Sequence, residues 1–193
     1  VIQGEAGIGK SRLVSEWLST VPPDQLVICY GHASPYARGG GYDVFRSLLQ
    51  EARRTWLPGM EWDSQVSSPL RIFLWQILGL LPPEEMATLR HLEPERVKQL
   101  TILALREWVL SAARARPLVL VLEDFQWADD LSRDVVQALA YIIQEAPVLL
   151  CIVARPRPEM PLNLALPEPS LATPVYLQLE LRPLSPEDSR ALL

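Results

Sequence analysis

Three short stretches of this chain carry side chains that could do chemistry together. The first is Gly4-Glu5-Ala6-Gly7-Ile8-Gly9-Lys10-Ser11, which fits the spacing G-x-x-x-x-G-K-[ST]. A glycine-rich loop of this kind turns consecutive backbone N–H groups inward as an anion cradle. The helix that follows adds its N-terminal donors and its positive dipole end. Lys10 would set a mobile ammonium beside the β- and γ-phosphates of a nucleotide, and Ser11 would offer a hydroxyl to Mg²⁺. Gly4 and Gly9 are expected to supply backbone angles that other residues resist. All eight residues are candidate nucleotide contacts, with Glu5 at a position where residue type is free. The chain has two lysines, Lys10 and Lys98, so finding one of them here is informative.

A phosphate loop with a metal needs an acidic partner. "LVLVLEDFQWADD" offers one, an apolar run at Leu118–Leu122 followed by Glu123 and Asp124. Successive strand residues point to opposite faces, so the two acids should divide the work. One would hold Mg²⁺ and the other would orient the attacking water. Both are candidate catalytic and metal-side residues. The third stretch, "VLLCIVAR", ends on Arg155, where a parallel sheet presents its ligand-facing edge. A guanidinium there can form paired, charge-assisted bonds to phosphate; Arg157 competes for the same role. Trp127 is expected to pack rather than to stack on a base, and Asp129 to bond the loop or cap the next helix. His32, Tyr36 and Tyr42 follow the second apolar run, within reach of a substrate or partner, but carry no assigned chemistry.

These stretches need a scaffold. At 193 residues, 49% hydrophobic and 21% charged, the chain can bury one substantial core. Apolar runs at Val1–Gln3, Leu26–Tyr30, Leu118–Leu122, Val148–Ala154 and Val175–Leu179 are short and mostly non-alternating, as suits strands covered on both faces. Helical periodicity separates them at Lys10–Leu18, Asp43–Arg54, Pro69–Leu81, Glu95–Ala115 and Leu131–Gln144, the last capped by Asp129 or Asp130. Strand and helix in alternation predict a doubly wound α/β domain. Residues 55–68 are polar and irregular, a surface loop, and residues 155–174 hold six prolines, too many for a regular element. "LSPEDSRALL" opens a new helix, with Ser185 as N-cap, Pro186 at its first position and Asp188 closing a capping box. The domain is therefore read as residues 1–183, with a helical lid beginning at 184–193. The start on Val1 inside a strand, without Met, leads us to expect a piece of a longer chain.

Charge and composition exclude other classes. A net charge of −5 argues against a nucleic-acid-binding surface on this domain, because phosphate backbones need a basic face. No apolar run approaches the roughly 20 residues of a membrane helix, and no signal-peptide pattern is visible. The expected location is the cytoplasm. His32 and His91 stand alone, without zinc-ligand spacing. The sole asparagine, Asn163, lies in "PLNLAL", so the Asn-Lys-x-Asp guanine reader of GTPases is missing.

"GEAGIGKSRLV", "RPLVLVLEDFQWADD" and "LLCIVARPRPE" together resemble the AAA-type ATPase module of STAND signal-transduction regulators. The likeness covers nearly the whole chain, and "QWAD" is its most specific element. It implies a P-loop NTPase three-layer sandwich, a parallel five-stranded sheet of order 5-1-4-3-2 with helices on both faces. ATP or ADP with Mg²⁺ is implied as the ligand, and Arg155 as a sensor of the γ-phosphate. In that strand order Cys29 and Cys151 sit two strands apart, roughly 9–10 Å, beyond disulfide reach, so both are expected to be reduced. The resemblance further implies a slowly hydrolysing regulatory switch in a larger signalling or transcription regulator. Its partners would be flanking domains of the same chain (cyclase, kinase, helical repeat or DNA-binding module), and a nucleotide-dependent oligomer is among the expectations. The competing readings are a turnover motor or loader acting on nucleic acid or protein, a small-molecule kinase, and a binding-only module.

Overall fold

The computed structural model describes residues 1–36, 40–55, 66–142, 145–156 and 176–184. Five strands, β1 (Ile2–Gln3), β2 (Val27–His32), β3 (Leu118–Glu123), β4 (Val148–Ala154) and β5 (Leu179–Glu180), form one sheet of order β2-β3-β4-β1-β5. Every pairing is parallel. Read from the other edge, this is the expected 5-1-4-3-2. The helices are α1 (Lys10–Ser19), α2 (Asp43–Thr55), α3 (Ser68–Leu78), α4 (Pro83–Arg90), α5 (Pro94–Ala115) and α6 (Asp130–Ile142), with a short 3₁₀ turn at Phe125–Trp127.

The handedness of the connections decides which face each helix covers. A parallel crossover is almost always right-handed. The chain leaves β1 for the far edge at β2, then steps back through β3 and β4. The outward and return crossovers must therefore lie on opposite faces. Accordingly Val14 and Leu18 of α1 pack on Ile2, Val119, Val121, Cys151 and Val153. The other face carries α2 to α6, with Phe45, Phe73, Leu89, Trp108 and Val135 gathered over Leu118, Leu120, Leu122 and Ile152. β3 lies between two strands and two helix layers, and all six of its residues are buried, which is why "LVLVLE" shows no polar alternation. Cys29 on β2 and Cys151 on β4 are buried and form no disulfide, with β3 between them.

Several boundaries differ from the sequence expectation. The helix expected over Pro69–Leu81 ends at Leu78, because Gly79 takes φ 68 and donates its N–H to Gln76 as a left-handed C-cap. Pro82-Pro83, read as a stop, instead starts α4, an element the sequence reading lacks. Pro83 sits where a helix needs no N–H, with Glu84 and Glu85 in the first turn. β5 forms at Leu179–Glu180 rather than Val175–Leu179. Residues 56–65 of the expected loop, Ile143, Gln144, the proline-rich residues 157–174 with Arg157 and Asn163, Val175, and the helix start at Ser185 lie outside the described residues.

Two polar devices fix the β2 side of the sheet. β2 is an edge strand, and the Tyr30 N–H donates to Glu51 Oε2 at 2.7 Å while the His32 N–H donates to Ser47 Oγ at 2.7 Å. Helix α2 thus occupies donors that would otherwise face outward. At the other end of α2, Asp129 caps α6 and reaches across to α2. Its carboxylate accepts from Ser132 N (2.9 Å), Ser132 Oγ (2.8 Å), Tyr42 N (3.0 Å) and Asp43 N (3.0 Å). Of the two cap candidates, Asp129 is the one that caps. Tyr42 is held there at φ 61, a strained angle for an aromatic residue.

Burial alone would raise the Asp129 carboxyl, but these donors outweigh it and hold the group below its ordinary range. A lowered acid stabilises the fold above the ordinary carboxylate range and loses that contribution as pH falls through the lowered value. Asp129→Ala should cost about 1–3 kcal/mol at neutral pH. The gap from wild type should close in acid; urea unfolding at pH 7 and pH 3 checks both statements.

Candidate functional site

The loop after β1 earns its shape from glycine at two places. Gly7 has φ 73 and Gly9 φ 100, and a Cβ at either would meet open space, so the backbone angle is the whole requirement. Gly4 differs from the expectation: its φ is not left-handed. A Cβ there would stand 3.0 Å from the Leu181 carbonyl oxygen and 3.0 Å from Ile8 Cγ2. Gly4 is required by the close approach of the chain after β5, not by its angle.

Gly9 is the N-cap of α1 and lends it no side chain. The first helical bond runs from Leu13 N–H to the Gly9 carbonyl at 2.8 Å, leaving the N–H groups of the first turn at the open end of the helix. Lys10 folds back over the loop, its Nζ donating to the carbonyls of Gly4 (2.8 Å) and Glu5 (2.7 Å). Glu5, Ala6 and Gly7 are exposed along the rim. Ser11, next on α1, donates from Oγ to Glu123 Oε2 at 2.7 Å.

Strand periodicity explains why Glu123 is the acid that Ser11 meets. Val119 and Val121 belong to the α1 side of the sheet and Leu118, Leu120 and Leu122 to the other. Glu123 therefore falls on the face that α1 covers, and it is buried. Asp124 does not continue the strand. It turns into the left-handed region at φ 53 and starts the 3₁₀ turn, a conformation aspartate tolerates better than most residues. Its carboxylate accepts from Gln126 Nε2 at 3.0 Å. Gln126 in turn accepts the Arg155 backbone N–H at 2.9 Å on its Oε1. One side chain thus joins the acid after β3 to the residue after β4, where Arg155 itself is exposed.

The structure brings together Lys10, Ser11 and Glu123 directly, and Asp124 and Arg155 through Gln126. The sequence reading gave Gln126 no role, although "QWAD" was its most specific motif. Trp127 is 37% exposed, and Phe125 fills the interior beside it, with the Arg133 guanidinium 5.7 Å from its ring centre. Tyr42 is buried, Tyr36 is exposed, and His32 stands in register opposite Glu123.

A hydroxyl and a carboxylate oxygen side by side are hard donors of the kind Mg²⁺ prefers. Among the described residues no cluster of three or more His, Cys, Asp or Glu could hold a metal unaided. An ion at Ser11 and Glu123 would take its remaining oxygens from phosphate and water, the usual arrangement for Mg²⁺ with a nucleotide. Bound Mg²⁺ would polarise the phosphoryl oxygens and neutralise charge that develops there.

A profile of the AAA ATPase domain matches residues 1–153. The chain belongs to that family. This AAA ATPase domain is accordingly an ATP-binding, nucleotide-binding module. It is also 26% identical over 168 residues to an uncharacterized protein of Rhizobium meliloti (strain 1021), in a match covering 81% of this chain and 16% of that relative. The AAA ATPase domain thus spans about a sixth of the length of the curated relative it matches. No solved structure matches it significantly. Among the described residues no helix of the AAA ATPase domain is long and apolar enough to cross a membrane.

The two kinds of glycine requirement predict different responses. Gly7→Ala should cost about 1–2 kcal/mol through its backbone angle alone, read by urea unfolding. Gly4→Ala should also displace the chain at Leu181, seen as shifts of the Leu181 amide in a ¹⁵N–¹H spectrum that Gly7→Ala leaves in place.

Proposed function

We propose that this domain binds ATP with Mg²⁺ and serves as a slowly hydrolysing regulatory switch of the STAND type within a larger protein. The observation that carries the reading is the Ser11–Glu123 contact beside a glycine loop that Gly9 joins to the N-terminus of α1 and over which Lys10 folds. In this reading Gly4 to Gly9 cradle the phosphates with their N–H groups and Lys10 neutralises the β- and γ-phosphates. Ser11 and Glu123 hold Mg²⁺. Asp124, held outside the strand line, orients the attacking water, and Arg155 reads the γ-phosphate. The net charge of −5 supports placing any DNA contact on another domain.

The short span relative to its relative supports a module whose partners are flanking domains of its own chain, with residues 184–193 beginning a lid. A switch needs ATP to favour one domain arrangement by the size of the population shift. It does not need speed.

Lys10→Ala should abolish nucleotide retention, measured by calorimetric titration of ATP; unchanged binding would sink the phosphate-loop assignment. Glu123→Gln should raise the Mg²⁺ concentration needed for ATP binding. Asp124→Asn should leave binding near wild type and cut turnover by about a hundredfold or more. Wild-type turnover should stay below about one per second, at the low end for enzymes. Fast turnover stimulated by DNA would point to the motor instead.

A further inference from the structure

We propose that Gln126 is a positioning residue that couples the water-orienting acid Asp124 to the γ-phosphate-reading end of β4. The inference rests on the ATPase reading above and adds a residue to its machinery. Gln126 is 5% exposed, so its amide has little access to solvent and must be satisfied by protein. Both ends are: Nε2 donates to Asp124 Oδ1 at 3.0 Å and Oε1 accepts the Arg155 N–H at 2.9 Å.

The chemistry of the two partners restricts the side chain that can join them. A carboxylate offers only acceptors and a backbone N–H only a donor, so the bridge must donate at one end and accept at the other. A primary amide does both. Glutamate can accept from Arg155 but cannot donate to Asp124, and leucine of similar size can do neither. The amide orientation is fixed by the same argument.

Geometry gives the bridge a purpose. Asp124 has left the strand at φ 53, so the pairing that holds Glu123 against its neighbours no longer aims the Asp124 carboxylate. Its own backbone carbonyl is tied to Trp127 N–H at 2.9 Å, which closes the turn. The carboxylate is aimed by Gln126, and Gln126 is anchored on the first residue beyond β4. A displacement of the β4 exit when Arg155 meets a γ-phosphate is thereby passed to Asp124. Sensing and water orientation share one side chain.

The test uses the full-length protein. Turnover at saturating Mg-ATP, KM and the ADP Kd are measured for wild type, Q126L, Q126E, D124N and the double variant D124N/Q126L, with hydrogen exchange followed at the Arg155 amide. Q126L and Q126E should each lower turnover at least about tenfold, while KM and the ADP Kd stay within about threefold of wild type. Because Gln126 acts through Asp124, the double variant should be no slower than D124N alone. The Arg155 amide should exchange slowly in wild type, D124N and Q126E, and quickly in Q126L. Multiplying losses in the double variant would overturn the coupling. So would wild-type turnover in Q126E, or an Arg155 amide that exchanges as fast in wild type as in Q126L. If Q126L does not fold, Q126E keeps the turnover and KM comparison intact. A wild-type protein that binds nucleotide no better than Lys10→Ala would overturn the ATPase reading, and the coupling with it. Wild-type binding with Q126E indistinguishable from it would overturn the coupling alone.

Discussion

β4 lies between β1 and β3, and everything at the site follows from that insertion. The strand that launches the glycine loop and the strand that ends in acids are far apart in sequence. The sheet order brings them to one edge with β4 between them. Ser11 then reaches Glu123 across 112 positions of sequence. The parallel direction of all the pairings puts the C-terminal ends of β1, β3 and β4 on the same side. The glycine loop, Glu123 and Arg155 therefore converge without any long loop having to carry them. This is the crevice at which open α/β sheets hold ligands.

The site rests on two different kinds of support. The glycine loop and the first turn of α1 are held by backbone geometry, with Gly7 and Gly9 at angles that suit glycine and Gly4 pressed against Leu181. The acidic side is held by side chains: Gln126 between Asp124 and Arg155, and Asp129 between α6 and α2. The polypeptide from Glu123 to Asp129 thus fastens α1, the end of β4, α2 and α6 within seven residues.

Much of the frame was legible before any coordinates. β3 was recognisable because a strand buried on both faces carries an unbroken apolar run, β4 because its run is apolar throughout, and α5 and α6 because their apolar residues return every three to four positions. The glycine loop was legible because phosphate binding constrains its spacing so tightly. Proline was the main source of error. Pro82-Pro83 reads equally well as the end of one helix and the start of the next, since the missing N–H is harmless in a first turn. Gly79 supplied the real stop. Phe125 is the aromatic that points fully inward, two residues before the larger and partly exposed Trp127. Gln126 was missed for a different reason. Its partners are a left-handed acid and a backbone N–H from another strand, and no periodicity encodes either.

The α2 side chains on the outer edge of β2 have a consequence for the life of the protein in a crowded solution. A parallel sheet that ends on an exposed ladder invites a second chain to continue it, and such additions propagate. Ser47 and Glu51 take the outward donors of His32 and Tyr30, so an approaching strand finds its acceptors already replaced. Growth of the sheet in that direction would first require α2 to peel away, and α2 is bound to the core by Val44, Phe45, Leu48, Leu49 and Ala52. The edge nearest the acidic strand is sealed by the same helix whose N-terminus Asp129 fastens.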